Sequence, residues 1–471
     1  GPVAGGLSRM YVDWVKIYSL RSFEQARVEF VHPDQQEQLP LNNVTLLLGD
    51  NSAGKTTVLR AVALAALGPV LDQSGYMPKS MVRWNEGEAR VEASIRVHAL
   101  DRSSDTVASD IVATTVTIER RGSRELLRPE KAISELAFDD ESPAMLVLGY
   151  GATRRTEPPA EFHSATRRKL RALRYERVAG LFEDHLGLTP LEAWLPKLER
   201  DKPRSYCHVL DLFASLLPSD IRFTGHLERD EYVFERGHTV LGFSALSDGY
   251  RGFVGLLSDL FFHLCTGLVD GDDPRDSRGI VLIDEIDQHL HPTWQRTVVA
   301  SLTRALPKLE FILTTHSPIV AGTVYAANIR LLTSDEDGVS HVETPNKELH
   351  GLDADQVLLS EAFGLRSSRA PDFVDQYDAL ARELEPGDWQ TSVRLLKLLE
   401  QGSAGLDASI EAPRAPAWAH RAKELIKDSP ADFAAVAAKD QQTGYRTTSK
   451  QSAKKKSAKK KSSAKKKANS R

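Results

Sequence analysis

Residues 44–67 read VTLLLGDNSAGKTTVLRAVALAAL, and the fold follows from how this stretch divides. Residues 44–48 are apolar or β-branched, the composition of a buried strand. The Ala- and Leu-rich run after Thr57 predicts a helix. Between them, Gly49-Asp50-Asn51-Ser52-Ala53-Gly54-Lys55-Thr56 matches G-x-x-x-x-G-K-[ST] at every fixed position, with the strand and helix that this motif needs on either side. Gly49 and Gly54 let the backbone turn its N–H groups inward around a phosphate, and the helix N-terminus adds the positive end of a dipole. The candidate nucleotide cradle is therefore Gly49, Asn51, Ser52, Ala53, Gly54, Lys55, Thr56 and Thr57. Lys55 can reach β- and γ-phosphates, and the Thr56 hydroxyl can ligate Mg²⁺.

The chain has 471 residues, 41% hydrophobic and 27% charged, enough for two or three domains with sizeable cores. No run of about 18 or more apolar residues occurs, so no membrane span is expected. Residues 1–9 have the composition of a tag remnant, and nothing near the start resembles a secretory signal. Two cysteines, Cys207 and Cys265, argue against a disulfide framework and for a reducing, cytoplasmic setting. Charge is unevenly distributed. Residues 450–471 hold ten lysines, one arginine and no acid, a charge of +11 in a chain of net −4, so the remainder carries −15.

Upstream of the loop, residues 11–17 and 26–31 predict strands. Gly68-Pro69 predicts the end of the helix after the loop. The alternating run 89–97 and the β-branched run 111–118 predict an antiparallel β portion. Residues 144–151 form another buried-strand pattern ending in Ala152-Thr153-Arg154-Arg155, the kind of strand end where open α/β sheets bind ligands. Arg154 can serve a nucleotide there or pair with an acid. Residues 164–198 read as largely helical and carry Arg167, Arg168, Lys169, Arg171, Arg174 and Arg177. This basic run suits nucleic-acid phosphates or a solvated helix face. Residues 230–240 predict a hairpin arm.

Three further stretches carry chemistry. In Phe243-Ser244-Ala245-Leu246-Ser247-Asp248-Gly249-Tyr250-Arg251-Gly252, Ser247 and Gly249 open a Leu- and Phe-rich helix, which makes either an anion-binding end or an ordinary serine cap. Residues 279–283 are a continuous apolar strand running into Asp284 and Glu285; the first acid can hold Mg²⁺ and the second can deprotonate an attacking water. Residues 311–315, FILTT, predict a strand ending at His316, which can hydrogen-bond a γ-phosphate or serve as a cap. His289 and His291 beside Asp287 lack the spacing of a transition-metal site.

In this order, GDNSAGKTT, FSALSDGYRG, IVLIDEIDQHLHP and FILTTHSP resemble the motifs of ABC-type ATPases, most of all the SMC/RecF/overcoming-lysogenisation-defect branch. The resemblance implies an α/β ABC-type P-loop head that forms a homodimer or higher even oligomer with ATP sandwiched between copies. Lys55 and Thr56 then belong to Walker A, Ser247 and Gly249 to the signature that meets the partner's γ-phosphate, Asp284 and Glu285 to Walker B, and His316 to the switch. Residues 288–291 take the place of the D-loop. Two departures stand out: Asp248 replaces the usual signature glycine, and the D-loop lacks its aspartate. No glutamine marks a Q-loop, whose place residues 150–154 take. LGYGATRR, LEAWLPKL and DADQVLLSEAFGL are further similar to ATPase subunits of bacterial anti-phage systems, the Septu type above all. That similarity implies an HNH-type nuclease as partner; the alternative is a RecF-like clamp that itself grips DNA.

The expected order is a tag remnant (1–9), an ATPase lobe with an antiparallel β subdomain (10–150), a short helical insertion (151–241), a second ATPase lobe (242–345), a helical C-terminal region (346–445) and a Lys-rich tail (446–471). The helical region is a candidate docking surface for the effector or a cap on the ATPase fold. The tail cannot bury a core and suits nucleic-acid phosphates or a solubilising role.

Overall fold

A computed structural model of the chain describes residues 10–32, 39–97, 111–130, 146–156, 173–183, 187–384 and 388–403. Arg167, Arg168, Lys169, Arg171 and the lysine-rich tail lie outside the described residues, as do residues 1–9. The chain divides into two compact units, residues 1–366 and 367–471.

The first unit opens with β1 (Tyr11–Leu20) and β2 (Phe23–Glu29), then β3 (Val44–Gly49) enters the phosphate loop and α1 (Lys55–Gln73) leaves it. There follow β4 (Glu88–Arg96), β5 (Ile111–Arg121), β6 (Arg124–Pro129), β7 (Val147–Tyr150), β8 (Arg155–Thr156), α2 (Leu173–Ala179), β9 (Gly187–Leu188), α3 (Leu195–Asp201) and α4 (Pro203–Leu216). Next come β10 (Arg222–Glu228), β11 (Glu231–Arg236), β12 (Thr239–Gly242), α5 (Asp248–Cys265), β13 (Gly279–Ile283), α6 (Pro292–Gln295), α7 (Val298–Ala305) and β14 (Leu309–Thr314). The unit closes with α8 (Pro318–Ala321), β15 (Ile329–Ser334), β16 (Ser340–Glu343) and α9 (Ala354–Leu358). In the second unit α10 (Pro371–Glu383) packs on α11 (Trp389–Ser403).

The central sheet has the order β16-β15-β3-β14-β13-β7, parallel throughout except for the β15–β16 edge pair. Because these strands are parallel, the phosphate loop, Asp284 and His316 all emerge at the same sheet edge, the one formed by strand C-terminal ends. Alternation of side chains gives the sheet two faces. Leu46, Leu48, Leu148, Val281 and Leu313 join one core with α4, α5 and α7, whereas Leu47, Val147, Ile280, Leu282 and Ile312 join a second core with α1 and the antiparallel sheet β2-β1-β4-β5-β6. These layers make a mixed α/β fold with the phosphate loop at the C-terminal edge of the parallel strands. The stretch before α5 also holds a three-stranded antiparallel sheet, β10-β11-β12, beside its helices.

Two local expectations need correction. Gly68-Pro69 does not end α1, which continues to Gln73 with non-helical angles only at Leu67 (φ −124°, ψ 15°). The kink accommodates the missing proline N–H, and burial of α1 on nearly every side between two sheets favours continuation over termination. The largely helical reading of 164–198 needs one insertion: among the described residues α2 ends at Ala179, and β9 and a 3₁₀ turn intervene before α3. Arg174 and Arg177 are buried, so neither belongs to a basic surface for nucleic acid.

The segment leaving β7 is seated by close backbone approach. A Cβ added at Gly151 would lie 2.2 Å from the Gly180 carbonyl oxygen. Gly151→Ala is expected to lower stability by about 1–3 kcal/mol, as overpacking does. An unchanged thermal unfolding midpoint would contradict that approach.

Candidate functional site

The phosphate loop is shaped by positions that tolerate left-handed backbone. Gly49 has φ 151° and approaches β15 so closely that a Cβ would meet the Leu332 carbonyl oxygen at 2.2 Å. Gly54 has φ 96° as the N-cap of α1, and a Cβ there would strike the Phe23 ring at 2.5 Å. Ser52, between them, also takes positive φ, 73°. The first helical hydrogen bond runs from the Val58 N–H to the Gly54 carbonyl, so the amides of Lys55, Thr56 and Thr57 have no intrahelical acceptor. Lys55 folds back on the loop, donating to the carbonyls of Gly49 (2.8 Å) and Asp50 (3.0 Å). Burial lowers its pKa, although Asp284, Glu285, Asp50 and Asp287 pull the other way.

The acidic strand end meets this loop directly. Buried Asp284 accepts the Thr56 hydroxyl on Oδ2 (2.6 Å) and the Thr314 hydroxyl on Oδ1 (2.6 Å). A hydroxyl and a carboxylate are hard oxygen donors of the kind Mg²⁺ takes together with waters and phosphates. The residues present therefore fit the ion that the sequence implies.

Glu285 occupies the left-handed region, φ 50°, which is uncommon for a residue with a side chain. Both of its backbone polar groups are held by side chains from flanking strands. Its N–H donates to the Thr314 hydroxyl oxygen (2.8 Å), and its carbonyl accepts from Arg154 Nη2 (2.6 Å). A hydroxyl has one proton and two lone pairs. Thr314 gives its proton to Asp284 and uses a lone pair for Glu285, so one buried side chain orients both acids. The Glu285 carboxylate makes no hydrogen bond among the described residues. Arg154 lies in the field of Asp284, Asp287 and Glu285, yet burial brings its pKa down to about 10. Its buried Nη1 has no hydrogen-bond partner among the described residues, which suits a further oxygen-bearing group in the site.

Lys55, Thr56, Asp284, Glu285 and His316 line one cleft of about 410 Å³, with Asn51, Ser52, Gly54 and Thr57 on its loop side. The cleft is also lined by Arg21 and Ser22, from the turn between β1 and β2. Arg21 has φ 53° and a pKa lowered by burial and by Arg60. Neither Arg21 nor Thr314 carries a sequence signal: one sits in an ordinary turn, the other in an ordinary apolar strand. Arg154 had a weak one, its place just past a strand end.

Ser247 and Gly249 are not brought to this cleft. They line a second one of about 890 Å³ with His289, Tyr250 and Trp294. Ser247 has the backbone of an N-cap for α5, but its side chain makes no capping hydrogen bond and is exposed. Gly249 packs on the loop that follows Asp284, where a Cβ would meet the His289 carbonyl oxygen at 2.4 Å. His291 caps α6, its Nδ1 accepting from the Thr293 N–H. Among the described residues no group of three or more His, Cys, Asp or Glu side chains is placed to hold a metal.

A family model described as "AAA domain, putative AbiEii toxin, Type IV TA system" matches residues 44–321, which span every motif above. The chain is 24% identical over 371 residues to the Septu protein PtuA of Bacillus mycoides (strain KBAB4), covering 78% of this chain and 46% of that protein. It is 34% identical over 163 residues to the Retron Vc95 probable ATPase of Vibrio cholerae serotype O1 biovar El Tor, covering 34% of this chain and 31% of that one. The chain thus spans less than half the length of these curated relatives. Among solved structures, an SMC head bound to the C-winged helix domain of ScpA aligns with a TM-score of 0.43 at 18% identity, covering 71% of this chain and 98% of that one. No helix among the described residues is long and apolar enough to cross a membrane.

The double use of Thr314 can be tested. Thr314→Val should retain nucleotide affinity within about threefold yet lower turnover about 10–100-fold, the scale of lost outer-shell orientation. Thr314→Ser, which keeps the hydroxyl, should restore most of it. Equal loss in both variants would assign Thr314 to packing alone.

Proposed function

From the premise that the chain belongs to this AAA-domain family, we propose that it is an Mg²⁺-dependent ATPase that dimerises around ATP and controls a partner nuclease effector in anti-phage defence. The observation that carries the hydrolytic reading is the meeting of Thr56, Asp284, Thr314 and Glu285 at one sheet edge. The defence setting is supported by the names of the relatives, a Septu protein and a retron ATPase.

The chain's own groups divide the work as follows. The free amides of Lys55, Thr56 and Thr57 and the end of the α1 dipole bind the triphosphate. Lys55 leaves the Gly49 and Asp50 carbonyls, which are weak competitors, for the more strongly charged β- and γ-oxygens. Thr56 and Asp284 would hold Mg²⁺, which when bound would supply positive charge to the β- and γ-phosphates. Glu285 accepts a proton from water as the water oxygen bonds to the γ-phosphorus and the bond to the β–γ bridging oxygen breaks, releasing ADP and phosphate. His316 donates to a γ-phosphate oxygen. Ser247, whose hydroxyl no cap consumes, and the Gly249 amide contact the nucleotide of a second copy, giving a homodimer or higher even oligomer.

The geometry gives each acid and cation a different kinetic signature. Lys55→Ala should weaken ATP binding about 10–100-fold, the cost of one or two charge-assisted hydrogen bonds, as read by equilibrium binding of labelled ATP. Glu285→Gln should bind ATP normally and lose turnover by about 10²–10⁴-fold. Hydrolysis at the wild-type rate by Glu285→Gln would remove this residue from the reaction.

A further inference from the structure

A third cleft, of about 760 Å³, shares Thr293 with the Ser247 cleft and no lining residue with the phosphate-loop cleft. One wall is the α6–α7 segment with Arg296, Ala300 and Arg304; the other runs from Ile319 on α8 to Leu352 and Asp353. Arg296 and Arg304 are exposed, and neither side chain forms a hydrogen bond or ion pair among the described residues. The Asp353 carboxylate is occupied in a capping box at the start of α9. The groove therefore offers two uncommitted guanidinium groups over an apolar floor. Leu352 at its rim is more than a third exposed (36%).

Its position relative to the nucleotide cleft is the second observation. α6 follows the loop that starts at Asp284, and α8 follows His316. Gln295, the last residue of α6, ties the two together. Its Nε2 donates to the Leu290 carbonyl (2.9 Å), and its Oε1 accepts from Ser317 Oγ (2.7 Å). The Ser317 oxygen in turn caps α8 by accepting from the amides of Ile319 and Val320. The switch turn, the acidic loop and both walls of the groove are thus joined through one amide side chain.

We infer that this groove is the docking site for an acidic, leucine-bearing segment of the partner chain, and that Gln295 couples its occupancy to the nucleotide cleft. The inference rests on the proposed existence of a partner effector. Charge selects the occupant: Arg296 and Arg304 favour carboxylates in bidentate pairs and repel the chain's own lysine-rich residues 450–471. The apolar floor of Leu41 and Ile319, with Leu352 at the rim, favours aliphatic side chains over a sugar–phosphate backbone, which binds chiefly through many cationic contacts.

The test places a photo-crosslinker in the full chain, Leu352→p-benzoylphenylalanine, co-expressed with the polypeptides encoded beside it. The expected crosslink maps to a segment of one neighbour that contains Asp or Glu together with aliphatic residues. Its yield should fall at least about tenfold in Arg296→Glu/Arg304→Glu, matching loss of charge-assisted hydrogen bonds, and recover when the mapped acids are changed to lysine. The yield should also differ between ATP-free protein and ATP-bound Glu285→Gln, and Gln295→Leu should abolish that difference. Crosslinks to nucleic acid, to a second copy, or at full yield in the charge-reversed variant would overturn the docking assignment. Equal yields with and without ATP would overturn the coupling. ATP hydrolysis by Arg296→Glu/Arg304→Glu is expected to be unchanged; absence of hydrolysis in every form, with the crosslink intact, would instead sink the ATPase reading and leave the groove standing.

Discussion

One carboxylate with two hydroxyl donors holds the candidate site together. Asp284 accepts from Thr56, on the phosphate-loop side, and from Thr314, on the switch side, each at 2.6 Å. The loop, the acidic strand and the switch strand are distant in sequence, so this pair of hydrogen bonds is what makes them one site. The order β3-β14-β13 is the reason it can form. β14 lies between the loop strand and the acidic strand, and its last residue, Thr314, sits fully buried between the two. A different strand order would leave Thr56 and Asp284 apart.

The same arrangement explains why Glu285 can sit in a conformation that most residues avoid. Left-handed backbone costs a non-glycine residue roughly 1–2 kcal/mol, and two side-chain hydrogen bonds to its N–H and carbonyl offset that cost. Arg154 reaches the carbonyl from the end of β7, on the other side of β13. The acid's backbone is therefore fixed from both flanking strands while its carboxylate stays free, the requirement for a group that must take a proton without moving far. Lys55, by contrast, rests on loop carbonyls, a reversible arrangement that a triphosphate can displace.

What the sequence made legible follows from how local each feature is. The phosphate loop depends on a few consecutive residues, Gly49 to Thr56, and its strand and helix follow directly. The apolar run before Asp284 and the run before His316 were likewise readable as strands. Thr314 was not, because its importance comes from which strands lie beside β14, and spacing along the chain does not contain that. Arg21 was missed for the same reason: its turn belongs to the antiparallel sheet but opens onto the phosphate loop. Gly68-Pro69 misled because a helix buried on nearly every side gains more from continued packing than a proline costs at a kink. β15, which flanks β3, escaped notice because Ile329 to Ser334 follow a 3₁₀ turn with no marked alternation. The roles of the site residues are proposals; their convergence is geometry.

Ser247 lies in a different cleft from Lys55, with an exposed hydroxyl that no helix cap uses. The central claim is that these are two halves of one site, completed between copies. The most direct test is the native mass of Glu285→Gln with and without Mg-ATP, compared with the same variant carrying Ser247→Arg. The account predicts an ATP-dependent doubling of mass that the added arginine abolishes while ATP remains bound. A mass independent of ATP, or a doubling unaffected by Ser247→Arg, would contradict it.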